Sequence, residues 1–84
     1  MENTFEKNIV EFIKFVQFER SIASVELARI TGLTIDVLWN ICNYRTKISE
    51  AIRQKIFEGL GVTFDEFIDF VTINNLKIQI KGEF

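Results

Sequence analysis

Apolar residues recur along this chain at two different spacings. Ile9, Ile13 and Val16 stand four and three positions apart, the core stripe of a helix that begins near Asn3 and ends near Glu19. Asn3 with Glu6 three positions later is a capping-box pattern at its start. Phe5, Phe12 and Phe15 lie round the side of the same helix, beyond what one core face needs. They predict additional core, covered by the carboxyl-terminal segment, with a dimer interface as the alternative. Residues 21–24 form a connection with a serine available as N-cap, and a second helix is expected over about 24–30. Gly32 marks a turn, where positive φ carries no Cβ penalty. Thr34 is an N-cap for a third helix over 35–43.

Tyr44 to Lys47 read as a polar loop. Ser49 then caps a fourth helix with Ile52, Ile56 and Phe57 inward, and Gly61 closes it as a left-handed C-cap. Thr63 with Glu66 opens a fifth helix carrying Phe64, Phe67, Ile68 and Val71. Beyond Asn75 the period shortens to two. Leu76, Ile78 and Ile80 alternate with Lys77, Gln79 and Lys81, which predicts a half-buried strand needing a partner. The expectation is a mostly α domain over 1–73, followed at 74–84 by a strand or tail able to serve as a dimerisation arm.

Composition narrows the class. Eighty-four residues suit one domain, and 48% hydrophobic residues with no proline favour a compact helical protein. Cys42 is the single cysteine, so no internal disulfide is possible and a reducing cytoplasm is the expected compartment. Glu6, Lys7, Glu11 and Lys14 interrupt the first apolar stretch, arguing against a signal peptide or membrane span. Net charge is −2, unevenly spread. Residues 1–28 hold three basic against five acidic side chains, 29–55 hold five against two, and 56–84 hold two against five. Positive charge therefore gathers in the stretch that contains the third helix, mainly in the segment after it.

Residues 24–43 concentrate the most information. Leu27 and Ala28 lie on one helix, Gly32 follows Ala28 by four, and Leu38 and Ile41 fall one turn apart on the next. A small residue at 28 permits close helix crossing, and apolar residues at 27, 33, 38 and 41 pin the pair to a core. This is the pattern of a helix-turn-helix, whose second helix suits a DNA major groove. With Leu27 to Thr34 in the turn, and Ile56, Leu60-Gly61-Val62 and Thr63 beyond, the chain resembles the Cro/C1-type (XRE) helix-turn-helix proteins of phages and bacteria over about residues 9–70. The resemblance implies a five-helix, lambda-repressor-like domain, dimeric, that regulates transcription from a short operator in double-stranded DNA.

Carried over by position, the resemblance puts Ser24 and, on the third helix, Ile35, Asp36, Trp39, Asn40 and Asn43 toward DNA, with Arg45 and Lys47 on phosphates. Asn40 and Asn43 have the chemistry to bond an adenine edge, and Ser24 suits a phosphate oxygen. Trp39 is large and apolar where a small polar residue or Arg is usual. The turn after the third helix is Cys42-Asn43-Tyr44 in place of the usual Glu-x-Gly, and Ile48 replaces a common proline. Ile35 and Trp39, four apart, form one apolar ridge, so the alternative function is a protein-binding derivative such as an antirepressor or an inhibitor of a host defence nuclease. A third possibility is that Trp39 tilts inward beside Phe57. The interface candidates are Phe12, Phe15, Ile35, Trp39, Leu76, Ile78 and Ile80.

Enzymatic chemistry has little to stand on. No histidine is present to activate Cys42, and no glycine-rich phosphate loop occurs. Asp65, Glu66 and Asp69 cluster on one helix without a calcium-loop pattern, so a solvated face near a helix N-terminus is expected, with no metal and no cofactor.

Overall fold

The computed structural model describes residues 4–82, with side chains through 75. Five helices follow in order: α1 (Thr4–Arg20), α2 (Ser24–Thr31), α3 (Ile35–Cys42), α4 (Glu50–Leu60) and α5 (Phe64–Gly82). Among the described residues there is no strand. The expected strand at 76–81 is instead the last part of α5, whose backbone stays helical to Gly82. A lone alternating segment has no ladder to join, and extending α5 satisfies its N–H and C=O groups within the segment itself. The side chains of Leu76, Ile78 and Ile80, expected at an interface, lie outside the described residues, as does the Asn3 cap.

The helix ends follow local chemistry. Gly32 and Gly61 close α2 and α4 in the left-handed region, at φ 74° and 68°. Thr34 and Ser49 accept the N–H groups of Val37 and Ile52 at 3.1 and 3.2 Å, and Thr63 accepts from Glu66 N at 3.1 Å. Helix α2 departs from expectation: its N-cap is Ala23, extended and without a side-chain cap. Ser21 occupies the left-handed region, at φ 55°, and Ile22 N donates to Gln17 O.

The core joins Ile9, Phe12, Ile13 and Val16 of α1 to Leu27, Leu38, Ile41, Ile56, Phe57, Leu60 and Phe67. Phe12 touches the rings of Phe57, Phe67 and Phe70 at 5.3–5.7 Å between centroids, and Phe15 meets Phe70 at 5.0 Å. Such edge and tilted ring pairs add about 0.5–1.5 kcal/mol each beyond area burial. Of the phenylalanines beside the α1 stripe, Phe12 is enclosed by rings of α4 and α5, whereas Phe5 and Phe15 each meet one α5 ring and stay nearly half exposed. Phe12, expected as an interface candidate, is a buried core residue.

On the other side, α2 crosses α4 with almost no gap. A Cβ at Gly59 would stand 2.4 Å from Ile30 O and 2.9 Å from Thr31 Cα, both backbone atoms. Close approach is therefore licensed at 59, on α4, as much as at Ala28. Arg20 links the two sides by donating from its guanidinium to Leu60 O, at the carboxyl end of α4. Among the described residues no helix is long and apolar enough to cross a membrane.

Candidate functional site

The α2–α3 pair is set by a buried hydroxyl and a glycine. Thr31 Oγ1 donates to Leu27 O at 2.7 Å and accepts from Leu33 N at 3.3 Å, tying the last turn of α2 to the connection. Gly32 N donates to Ala28 O at 3.0 Å, and Thr34 then starts α3. Leu38 and Ile41 are buried, which fixes the rotation of α3 about its axis. The opposite edge must then face water. Ile35 is 49% exposed and Trp39 52%, Asp36 and Asn43 are exposed, and Asn40 is half-buried. Trp39 does not tilt into the core.

Past Cys42 the chain folds back on its own last turn. Asn43 closes α3, and its amide Nδ2 donates to Trp39 O at 2.8 Å. Tyr44 takes φ 60°, a left-handed conformation that a bulky side chain seldom adopts. Arg45 N then donates to Asn40 O at 2.8 Å. This reversal sets the Arg45 guanidinium 5.0 Å from the centroid of the Trp39 ring, a cation–π stack on the exposed edge of α3. Ile48 N donates to Glu6 Oε2 at 3.1 Å, which anchors the far end of the loop to α1. Glu6, whose spacing suggested an N-terminal cap, holds this loop across 42 residues of sequence.

The arginines separate by what they already hold. Arg29 pairs with Glu26, one turn earlier on α2, with Nε 3.0 Å from Oε2. That hydrogen bond lowers the carboxyl's pKa and raises the guanidinium's. Arg53 is largely covered, lies 5.2 Å from the rings of Phe57 and Phe64, and pairs with Glu50 at 3.9 Å. Arg20 serves Leu60. Among the described residues Arg45 and Lys47 form no ion pair, and both are exposed. Ser24 is exposed in the first turn of α2, whose leading N–H groups receive no side-chain cap from Ala23.

Of the residues expected at a DNA face, the structure thus brings Asp36, Trp39, Asn40, Asn43 and Arg45 together along the edge of α3 and its return loop. Lys47 lies further along the loop and Ser24 on α2. Spacing could not show the Trp39–Arg45 stack, because it depends on a left-handed Tyr44 between two elements. Cys42 is half-buried. Burial raises its thiol pKa against a lesser opposing pull from Lys14, so the thiol stays protonated and unreactive near neutrality. Among the described residues no group of three potential ligands could hold a metal ion. Searches against family models, characterised proteins and solved structures found no match to this chain.

Proposed function

We propose that this protein is a small DNA-binding transcriptional regulator of phage or mobile-element type, a Cro/C1-like helix-turn-helix domain that enters a major groove with α3 and acts in the cytoplasm. The observation that carries the reading is the exposed edge of α3 leading to two basic residues, Arg45 and Lys47, that form no ion pair among the described residues. Those side chains take phosphates, Asn40 and Asn43 reach base edges, and the first turn of α2 at Ser24 meets the backbone. Trp39 acts less as a reader than as the platform that aims Arg45. Two cations per copy give weak binding, so two copies on half-sites about 34 Å apart are needed.

The test is binding to duplex DNA from the region around its own coding sequence, at low salt. Binding should fall steeply with added salt. Arg45→Glu should weaken it at least tenfold, through loss of one phosphate contact per copy and gain of repulsion. No retention of any duplex at low salt would end this reading.

A second reading is favoured by one observation: Ile35 and Trp39 are both about half exposed on the same edge. An aromatic and an aliphatic anchor one turn apart suit a protein partner. Under that reading Trp39→Ala abolishes partner binding while Arg45→Glu is tolerated.

A further inference from the structure

The carboxyl-terminal half of α1 and the first half of α5 leave a groove between them of about 650 Å³, floored by Val62. Positions 12, 15, 16 and 19 on α1 and 66, 69, 70 and 73 on α5 line it. Both sets follow the same i, i+3, i+4, i+7 spacing, so each helix offers one stripe about two turns long. Two parallel stripes of this kind form the seat into which a third helix packs. Phe15 and Ile73, 45% and 52% exposed, stand apolar in it with no covering element among the described residues. The rim is acidic. Glu19, Glu66 and Asp69 border the groove, and its one described cation, Arg20, is already donating to Leu60 O.

We infer that the α1–α5 groove docks an amphipathic helix of a partner protein, one bearing basic side chains beside its apolar face. The charge pattern selects this occupant. A symmetric contact of groove against groove would set the same three carboxylates of two copies opposite each other, since an isologous interface repeats one patch on both sides. Like charges at close range disfavour that arrangement, whereas lysines or arginines flanking an apolar stripe match the rim. The inference stands apart from the DNA reading, because it uses none of the α3 residues.

The probe is a pair of synthetic amphipathic helical peptides of equal length, one of leucine and lysine, the other of leucine and glutamate. Each is titrated into the isotope-labelled full chain. The lysine peptide should shift the amide signals of Phe15, Asp69 and Ile73, and the glutamate peptide should not. Combined Glu19→Lys and Asp69→Lys, both at exposed positions, should weaken the lysine peptide at least tenfold without lowering the melting temperature. Phe15→Ala should weaken it as well. Phe5→Ala, at a phenylalanine equally exposed but outside the groove, should not. Shifts centred elsewhere, equal binding of both peptides, or an affinity untouched by the charge reversals would overturn the inference. So would a wild-type dimer in sedimentation that becomes monomeric on Phe15→Glu, because a second copy would then be the occupant.

Discussion

The α1–α5 side and the α2–α3 side of this molecule are built on opposite principles. Seven phenylalanine rings, from Phe5 on α1 to Phe70 on α5, join the first side through bulk, with centroids 5.0–5.8 Å apart. The second side is set against α4 by the absence of a side chain, at Gly59. Their outer surfaces differ as well. Both expose large apolar residues, but Trp39 lies against Arg45 whereas Phe15 and Ile73 lie among Glu19, Glu66 and Asp69. Apolar exposure alone would mark both as one kind of site. The neighbouring charges separate them, in keeping with the anionic ligand proposed for the first and the cationic partner inferred for the second.

The largest effect that would test this difference is expected from one methyl group. Gly59→Ala places a Cβ against Ile30 O and Thr31 Cα, neither of which can rotate away. Helix α2 must move off α4 at a cost of about 2–3 kcal/mol, the upper part of the usual overpacking range, because the clash is with backbone. For a domain of this size that lowers the melting temperature by roughly 10–20 °C. The displacement should also weaken the duplex binding proposed for α3, with less effect on the α1–α5 groove. A melting temperature within about 2 °C of the parent in a thermal scan, on the same scale, would mean that α2 and α4 have slack, and that the contrast between the two sides is overstated.

Gly59 also shows where a linear reading stops. The helix count, the Gly32 and Gly61 turns, the Thr34, Ser49 and Thr63 caps, and the inward set of Leu27, Leu38 and Ile41 follow from local chemistry and were legible. Gly59 sits inside α4, where glycine ordinarily signals only a propensity cost, and the Ile30 carbonyl that explains it is 29 residues away. The Glu6–Ile48 and Arg20–Leu60 bonds are hidden for the same reason. At 76–81 the error had another source. Alternation predicts a strand, but an edge with no partner strand loses to the hydrogen bonds of an extended helix. At the candidate site the residue types were readable, while the Trp39–Arg45 stack required the conformation of Tyr44.

Tyr44 offers a smaller and opposite effect. Gly32 and Gly61 occupy the left-handed region freely, whereas Tyr44 does so at φ 60° with a Cβ. Left-handed geometry costs an L-residue about 1–2 kcal/mol. Glycine would remove that cost and return about 0.5–1 kcal/mol through its greater unfolded-state freedom. Tyr44→Gly should therefore stabilise the fold by about 0.5 kcal/mol, a rise of roughly 2–4 °C. If α3 binds duplex DNA as proposed, that binding should weaken at the same time, because a freer turn no longer holds Arg45 in place. Higher stability with lower affinity is the signature of strain held at a site. A lower melting temperature would show instead that the tyrosine ring stabilises the turn.

The smallest stability effect, and the sharpest probe of surface charge, is expected at Glu26. Its pKa lies below the ordinary value, chiefly through the hydrogen bond from Arg29. A depressed carboxyl pKa adds stability that is present above the unfolded value and lost as pH falls through the folded one. At neutral pH the pair is therefore intact and Arg29 is neutralised. Both side chains are open to solvent, so Glu26→Gln should leave the thermal transition where it is. It does free a cation on the α2–α3 side. If that side binds duplex DNA, the dependence of affinity on salt should steepen by about one counterion per copy, because Arg29 becomes available to a phosphate. The lysine peptide in the α1–α5 groove should be unaffected, since neither residue borders it. An unchanged salt slope would mean that Arg29 faces away from the nucleic acid. The contact would then be confined to α3 and its return loop, with Arg45 and Lys47 as its cations.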